Sequence, residues 1–167
     1  WVISLIQKRC CPVTDINTRS PRTRLTCTMW ATVPVEWGQT ASPEAVEAEL
    51  KKHSNVKLLA AVHAETSTGV RNDVAEIGAA KGDALLLVDC VTSLGGIPLE
   101  IDAWGIDLAY SGTQKCLGVP PGLSPVTVST AAIGAFVAKS PSWYLDFAMI
   151  ADYVTAPART TTQRPFR

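Results

Sequence analysis

After Pro34 the chain alternates short apolar runs with segments that carry helix signals. Two apolar runs of strand length, Lys57–Val62 and Ala84–Val88, each end in polar residues. Short apolar runs bounded by turn residues are typical of buried strands in a parallel sheet. The pattern predicts two further strands at Ile106–Tyr110 and Pro125–Ser129.

Two predicted helices alternate with these strands. Ser42 stands directly before Pro43, so its hydroxyl can cap a helix that the pattern predicts over Pro43–His53. A second helix is predicted over Asp73–Lys81, and Gly82 closes it. This alternation of strands and helices favours a three-layer α/β/α domain with a mainly parallel sheet.

Both ends of the chain lack such signals. Residues 1–31 carry five basic side chains against one acid and show no sustained apolar period, so no element is predicted there. We expect this segment to be a spurious or disordered end rather than a basic binding arm. The predicted domain occupies residues 32–150, and residues 151–167 are expected to form a tail.

The composition limits the classes of function. The 167 residues are 47% hydrophobic and 18% charged, with a mean hydropathy of +0.15, which indicates a chain able to build one core. Fifteen basic and fifteen acidic residues cancel, which argues against a nucleic-acid partner. No apolar stretch reaches the roughly 18 to 20 residues of a membrane helix, so no membrane association is predicted.

The cysteine and histidine counts bear on compartment and metal binding. The five cysteines include no C-x-x-C pair, and their odd number favours reduced thiols in an intracellular protein over a disulfide framework. His53 and His63 are the only histidines, which excludes a three-histidine zinc site. No metal is predicted.

Polar residues follow three of the predicted strands, with Thr66 after the first, Asp89 after the second and Lys115 after the third. Ligands of open α/β sheets bind beyond the carboxyl ends of the strands, so these residues are expected to share one crevice. Each residue alone is weak evidence for a binding site, because Asp89 is also typical of a turn and Lys115 of a solvated surface. Together they fit pyridoxal phosphate, which needs a lysine for a Schiff base and a carboxylate beside its pyridine nitrogen.

Competing motifs are absent from the sequence. There is no G-x-x-x-x-G-K-[ST] phosphate loop and no G-x-G-x-x-G after a predicted strand. The G-x-S-x-G elbow of serine hydrolases is also missing. The residues alone therefore predict an α/β ligand-binding domain with a reactive lysine.

Three linked segments carry a family resemblance: His63–Gly69, Val88–Gly96, and Asp107–Lys115 with the turn Pro120–Gly122 behind it. In this order and spacing they resemble class V aminotransferases, specifically the alanine–glyoxylate and serine–glyoxylate group. The resemblance runs from about residue 33 to residue 146. It implies a fold-type-I large domain and pyridoxal phosphate as cofactor.

The resemblance also implies roles for six residues. Lys115 would form the Schiff base and move the proton between the substrate Cα and the cofactor. The other five would contact the cofactor: Asp89 at the pyridine nitrogen, Val91 on one ring face, Thr66 at the 3′-oxygen, Gln114 at the phosphate, and Thr155 at the phosphate of a neighbouring subunit. The two histidines that usually precede this threonine are missing here.

The implied reaction moves an amino group from alanine or serine to glyoxylate or another small 2-oxo acid, in a homodimer. The family's upstream phosphate loop, its ring-stacking aromatic residue and its carboxylate-binding arginine are not found, so the chain is expected to be an internal piece. The expected compartment is the cytoplasm, or the peroxisome in a eukaryote.

Two alternatives stay open. A cysteine desulfurase or lyase would use the same cofactor, although a desulfurase prefers a histidine where this chain has Gln114. The chain could also be a non-catalytic remnant with a structural role, in which Asp89 and Lys115 form a simple ion pair.

Overall fold

The computed structural model of the chain describes residues 3–9, 27–137, 140 and 142–155. The chain divides into two compact units, Trp1–Ser129 and Thr130–Arg167. Among the described residues, the first unit holds a six-stranded sheet and two helices, and the second holds two short helices. The predicted crevice lies in the first unit.

The sheet has the strand order β2-β1-β3-β4-β5-β6. The strands are β1 (Ile3–Arg9), β2 (Cys27–Val33), β3 (Val56–Val62), β4 (Leu85–Asp89), β5 (Leu108–Tyr110) and β6 (Val126–Val128). Strands β3, β4 and β5 pair in parallel, whereas β1 is antiparallel to β2 and β3, and β6 is antiparallel to β5. Four of the six strands therefore run in one direction, and the predicted α/β class is confirmed as a mixed sheet.

Strands β1 and β2 lie where no element was predicted. They pair along their whole length, from Ile3 opposite Val33 to Arg9 opposite Cys27, and β1 also pairs with β3. Their pairing joins residues that lie far apart in the chain. A periodicity argument on one segment at a time could not detect it.

The two helices of the first unit begin where their capping residues predict. Helix α1 (Pro43–Leu50) starts after Ser42, whose hydroxyl accepts from the Ala45 N–H at 3.2 Å. It ends at Leu50 rather than His53, because the chain turns there. Helix α2 (Val74–Ala80) starts after Asp73, which accepts from the Glu76 N–H at 3.1 Å.

One face of the sheet carries the core. Buried and half-buried residues alternate along β3 and β4, and the buried set packs against apolar side chains of α1 and α2. The members of this core cluster in the helices and central strands are Val46, Val74, Ile77, Leu59, Ala61, Leu86, Val88 and Ala109. The last residues of β4 and β5, Asp89 and Tyr110, point to the opposite, less covered face.

Asp107 joins three elements just before β5. The residue is only 8% exposed, and its carboxylate forms an ion pair with Lys81 at the end of α2. The same carboxylate accepts from the Leu86 N–H of β4 at 2.9 Å and from the Ser129 hydroxyl after β6 at 2.9 Å. Burial by itself would raise the pKa of Asp107, but these three donors outweigh it and lower the pKa.

The second unit contains α3 (Thr130–Ile133) and α4 (Phe147–Thr155), and the rings of Phe136 and Phe147 stack with centroids 6.0 Å apart. The first residues of the segment expected to be a tail, 151–155, belong to α4. Within the described ranges, no helix has the length and apolar character needed to cross a bilayer.

Replacing Asp107 by asparagine is expected to lower the free energy of unfolding by about 2 to 4 kcal/mol, because it leaves the Lys81 ammonium without its anion. Urea unfolding measures the change. Because the folded pKa of Asp107 is lowered, its stabilisation is present above the unfolded value near pH ~4 and is lost as the pH falls through the folded pKa. The wild type should therefore lose stability in acid more steeply than Asp107→Asn.

The matched control for this prediction is Glu47→Gln. Glu47 pairs with Lys51 across one turn of α1, and both side chains are more than half exposed. An exposed pair of this kind contributes less than about 0.5 kcal/mol. Equal losses in the two variants would contradict the anchoring role of Asp107.

Gly78→Ala is expected to destabilise the chain by about 1 to 3 kcal/mol, because overpacking displaces neighbouring backbone. A Cβ at Gly78 would overlap the carbonyl oxygen of Trp104. The control is Gly134→Ala, whose Cβ would meet only ordinary contacts of 3.4 Å or more. Thermal unfolding of both variants checks this, and a neutral Gly78→Ala would contradict the close packing of α2 on the Trp104 backbone.

Candidate active site

The loop after β3 presents Thr66 at the carboxyl end of the sheet. Glu65 shapes this loop, because its carboxylate accepts from both the N–H and the hydroxyl of Ser67, at 2.9 and 2.7 Å. These two bonds lower the pKa of Glu65. The Gly69 N–H then closes the turn onto the Glu65 carbonyl, with Gly69 at a φ of +72° that favours glycine. The described contacts of Glu65 therefore lie within its own loop.

Asp89 ends β4 with both carboxylate oxygens engaged. Oδ1 accepts from the Val91 N–H at 2.9 Å, and Oδ2 accepts from the Tyr110 hydroxyl at 2.7 Å. Asp89 is paired with Val62 on one side and with Tyr110 on the other, so it lies between two parallel neighbours. The backbone and the side chain of Asp89 are both fixed.

Lys115 lies in the exposed loop that follows β5. Its carbonyl accepts from the Gly118 N–H at 2.9 Å, which closes a turn around it. Within the part of the chain that the structure describes, its ammonium has no hydrogen-bond or ion-pair partner. The simple ion pair between Asp89 and Lys115, on which the structural alternative relied, is not formed.

A chain of contacts connects the three loops. The hydroxyls of Thr66 and Thr92 are 2.6 Å apart, and the Cys116 thiol donates to the Thr92 carbonyl at 2.9 Å. Gly96 makes the last approach feasible, because a Cβ there would lie 2.7 Å from the Cys116 sulfur. The segments that hold Thr66, Asp89 and Lys115 are therefore neighbours, as the strand-end argument predicted.

The other predicted contacts are placed differently. Val91 is half-buried beside Asp89, and Gln114 is exposed, with its amide folded over Gly112. Thr155 is the last residue of α4 in the second unit, where its hydroxyl donates to the Ala151 carbonyl at 2.8 Å. The roles of these three residues toward a cofactor stay predictions.

Sequence reasoning missed Tyr110 and Thr92. Tyr110 was predicted only as the end of a strand, and its bond to Asp89 depends on the pairing of β4 with β5. One signal could have found it, because Asp89 and Tyr110 are both the last residues of strands expected to be parallel. Nothing in the sequence indicated that Thr92 meets Thr66.

His63 is a structural residue. It is 2% exposed, its Nδ1 lies 3.0 Å from the Ser93 hydroxyl, and its ring meets Trp104 edge to face. Burial lowers the pKa of His63, and the charge of Arg71 lowers it further. The contact between the His63 ring and the Ser93 hydroxyl joins the loops after β3 and β4.

The residues at this end of the sheet fit pyridoxal phosphate. A carboxylate has about four acceptor sites, so the two oxygens of Asp89 can still accept a hydrogen bond from a protonated pyridine nitrogen. Lys115 offers an amine that no described residue occupies, and Thr66 offers a hydroxyl. A carboxylate, a hydroxyl and an amine are the groups that the ring and aldehyde of this cofactor require.

Comparisons with known proteins identify the family of the chain. Residues 24–164 match the family model described as aminotransferase class-V, which extends beyond the resemblance on both sides. An uncharacterized aminotransferase of Methanocaldococcus jannaschii is 50% identical over 59% of this chain and 26% of its own length. The serine–glyoxylate aminotransferase of Methylorubrum extorquens is 40% identical over 63% of this chain and 28% of its own.

A solved structure is also similar to this chain. The alanine–glyoxylate aminotransferase from a Nostoc species superposes with a TM-score of 0.67 at 46% identity, over 72% of this chain and 33% of that one. The chain thus spans about a quarter to a third of the length of the relatives it matches. Since the family model matches most of the sequence, the chain belongs to the class V aminotransferases.

Proposed function

We propose that the protein to which this chain belongs is a pyridoxal-phosphate-dependent aminotransferase that uses Lys115 as its reactive amine. The observation that carries the proposal is an Asp89 carboxylate oriented at the carboxyl ends of parallel strands, with Lys115, which no described residue pairs, in the next loop. In a structural ion pair the two charged groups contact each other, as Asp107 and Lys81 do. Asp89 and Lys115 do not contact each other, so each can interact with a bound molecule.

Each residue has a defined task. Pyridoxal phosphate supplies an aldehyde that condenses with amines and a ring that accepts electrons from the substrate Cα. With the cofactor bound, Asp89 would hold a proton on the ring nitrogen, and Thr66 would donate to the ring oxygen. Lys115 would supply the amine that holds the cofactor aldehyde and, when free, would accept the proton from the substrate Cα. Val91 would pack on one face of the ring, and Gln114 would bind the phosphate.

Glyoxylate, or another small 2-oxo acid, is the proposed amino acceptor, with alanine or serine as donor. Two of the similar proteins carry glyoxylate in their names, one with serine and one with alanine. In such a reaction the donor becomes its 2-oxo acid and glyoxylate becomes glycine. We further propose a homodimer, in which Thr155 would reach the phosphate of the neighbouring subunit.

The cysteines described near the site do not favour the desulfurase alternative. Burial and the negative charge of Asp89 raise the pKa of the Cys90 thiol to about 11, so it stays protonated at neutral pH. The Cys116 thiol donates to the Thr92 carbonyl. Cys90 is therefore not a thiolate nucleophile, and Gln114 stands where a desulfurase prefers a histidine.

Replacing Lys115 by alanine is expected to abolish covalent capture of pyridoxal phosphate. The chain is incubated with the cofactor and reduced with borohydride, and the modified peptide is located by mass spectrometry. Wild type should carry the reduced cofactor on Lys115, and Lys51→Ala, which removes an exposed lysine of the helix surface, should behave like wild type. Capture that is equal in Lys115→Ala and wild type would contradict the proposal.

Asp89→Asn is expected to lower the rate of amino transfer from alanine or serine to glyoxylate by about 100- to 1000-fold, because the amide provides no negative charge opposite the ring nitrogen. Glycine formation in the complete protein measures the rate. Asp83→Asn, in an exposed turn before β4, is the control and should retain wild-type activity. A loss below about tenfold in Asp89→Asn would contradict the role given to the carboxylate.

A further inference from the structure

The hydroxyl of Tyr110 is a second anchor for the Asp89 carboxylate. It donates to Oδ2 at 2.7 Å, while the Val91 N–H donates to Oδ1 at 2.9 Å. The two donors hold different oxygens, so together they fix the rotation of the carboxylate about its terminal torsion. With one donor alone this torsion would be broad, as it is for aspartate side chains in general.

The register of the sheet brings the two groups together. Asp89 and Tyr110 are paired positions of the parallel strands β4 and β5, and paired side chains lie on the same face. That face is the less covered one, where Tyr110 is 36% exposed. A group bound beyond the strand ends would thus meet the carboxylate and the phenol side by side.

We propose that Tyr110 is a positioning residue that aims the Asp89 carboxylate at the pyridine nitrogen of the cofactor. This inference rests on the proposed function and extends it to a residue to which the family resemblance assigned no role. Each oxygen of Asp89 spends one acceptor site on its anchor and keeps one. The anchors therefore set the direction of the remaining sites without consuming them.

The hydroxyl remains a donor throughout the physiological range. Burial, the bond to Asp89 and the negative charge of Asp89 raise the pKa of Tyr110 to about 12. The phenol is accordingly protonated at neutral pH and cannot repel the carboxylate.

The backbone of Tyr110 does not depend on this hydroxyl. The Tyr110 carbonyl accepts from the Cys90 N–H at 2.9 Å and from the Cys90 thiol at 2.9 Å. Strand pairing on both sides of β5 holds the residue as well. Tyr110→Phe therefore removes the donor and leaves the ring and the strand in place.

The test compares two cofactors in Tyr110→Phe. Equilibrium binding is measured by absorbance titration with pyridoxal phosphate and with its 1-deaza analogue, in which a C–H replaces the ring nitrogen. The variant should bind pyridoxal phosphate about 3- to 10-fold more weakly than wild type, as expected for one lost hydrogen bond. Its affinity for the analogue should be unchanged, because Asp89 has no nitrogen to meet. Weakening of both ligands by the same factor would indicate a merely structural role and overturn the proposal.

Two further variants keep the result interpretable. Tyr144→Phe removes a phenol hydroxyl from a side chain that is 80% exposed in the second unit, and it should bind both ligands like wild type. In an Asp89→Asn background, Tyr110→Phe should add no further loss of affinity, since the hydroxyl acts through the carboxylate. An independent loss in that background would also overturn the proposal.

Failure of the proposed function gives a different pattern. A wild-type chain that binds neither cofactor refutes the cofactor site, and the role of Tyr110 falls with it. A wild-type chain that binds pyridoxal phosphate more tightly than the analogue, with Tyr110→Phe indistinguishable from it, refutes only the role of Tyr110.

Discussion

The parallel register of β3, β4 and β5 is the constraint on which the rest of this structure depends. It places Val62, Asp89 and Tyr110 side by side at one edge of the sheet. The hydrogen bonds continue past the strands, because the His63 N–H donates to the Asp89 carbonyl and the Cys90 N–H donates to the Tyr110 carbonyl, both at 2.9 Å. Shifting one strand by one residue would turn Asp89 or Tyr110 to the other face of the sheet and would break the hydrogen bond between them.

The two ends of β5 use charge in opposite ways. Near its start, Asp107 is buried and held by Lys81, Leu86 and Ser129. Near its end, the ammonium of Lys115 has no partner among the described residues. Satisfied buried charge fixes the packing of helix and strands. The carboxylate that anchors the fold and the lysine proposed to react are thus separated along one short strand and the loop that follows it.

The loops at the carboxyl end are held by side chains rather than by an apolar core. Thr66 and Thr92 share a hydrogen bond, Cys116 reaches the Thr92 backbone, and Gly96 allows that approach. The buried contact between the His63 ring and the Ser93 hydroxyl also connects the loops after β3 and β4. These contacts position the loops at the carboxyl end of the sheet. The chain spans a quarter to a third of the length of its relatives, and these loops are ordered within it.

The sequence by itself determined the α/β class, the starts of α1 and α2, the central strands and the strand-end positions of Thr66, Asp89 and Lys115. These features depend on local signals, namely capping side chains and apolar runs that end in polar residues. Only the tertiary structure decided the pairing of β1 with β2, the Asp107 network, the absence of an Asp89–Lys115 ion pair and the bond from Tyr110 to Asp89. Each of these depends on the register between segments about twenty or more residues apart, which backbone pairing fixes and no local pattern encodes.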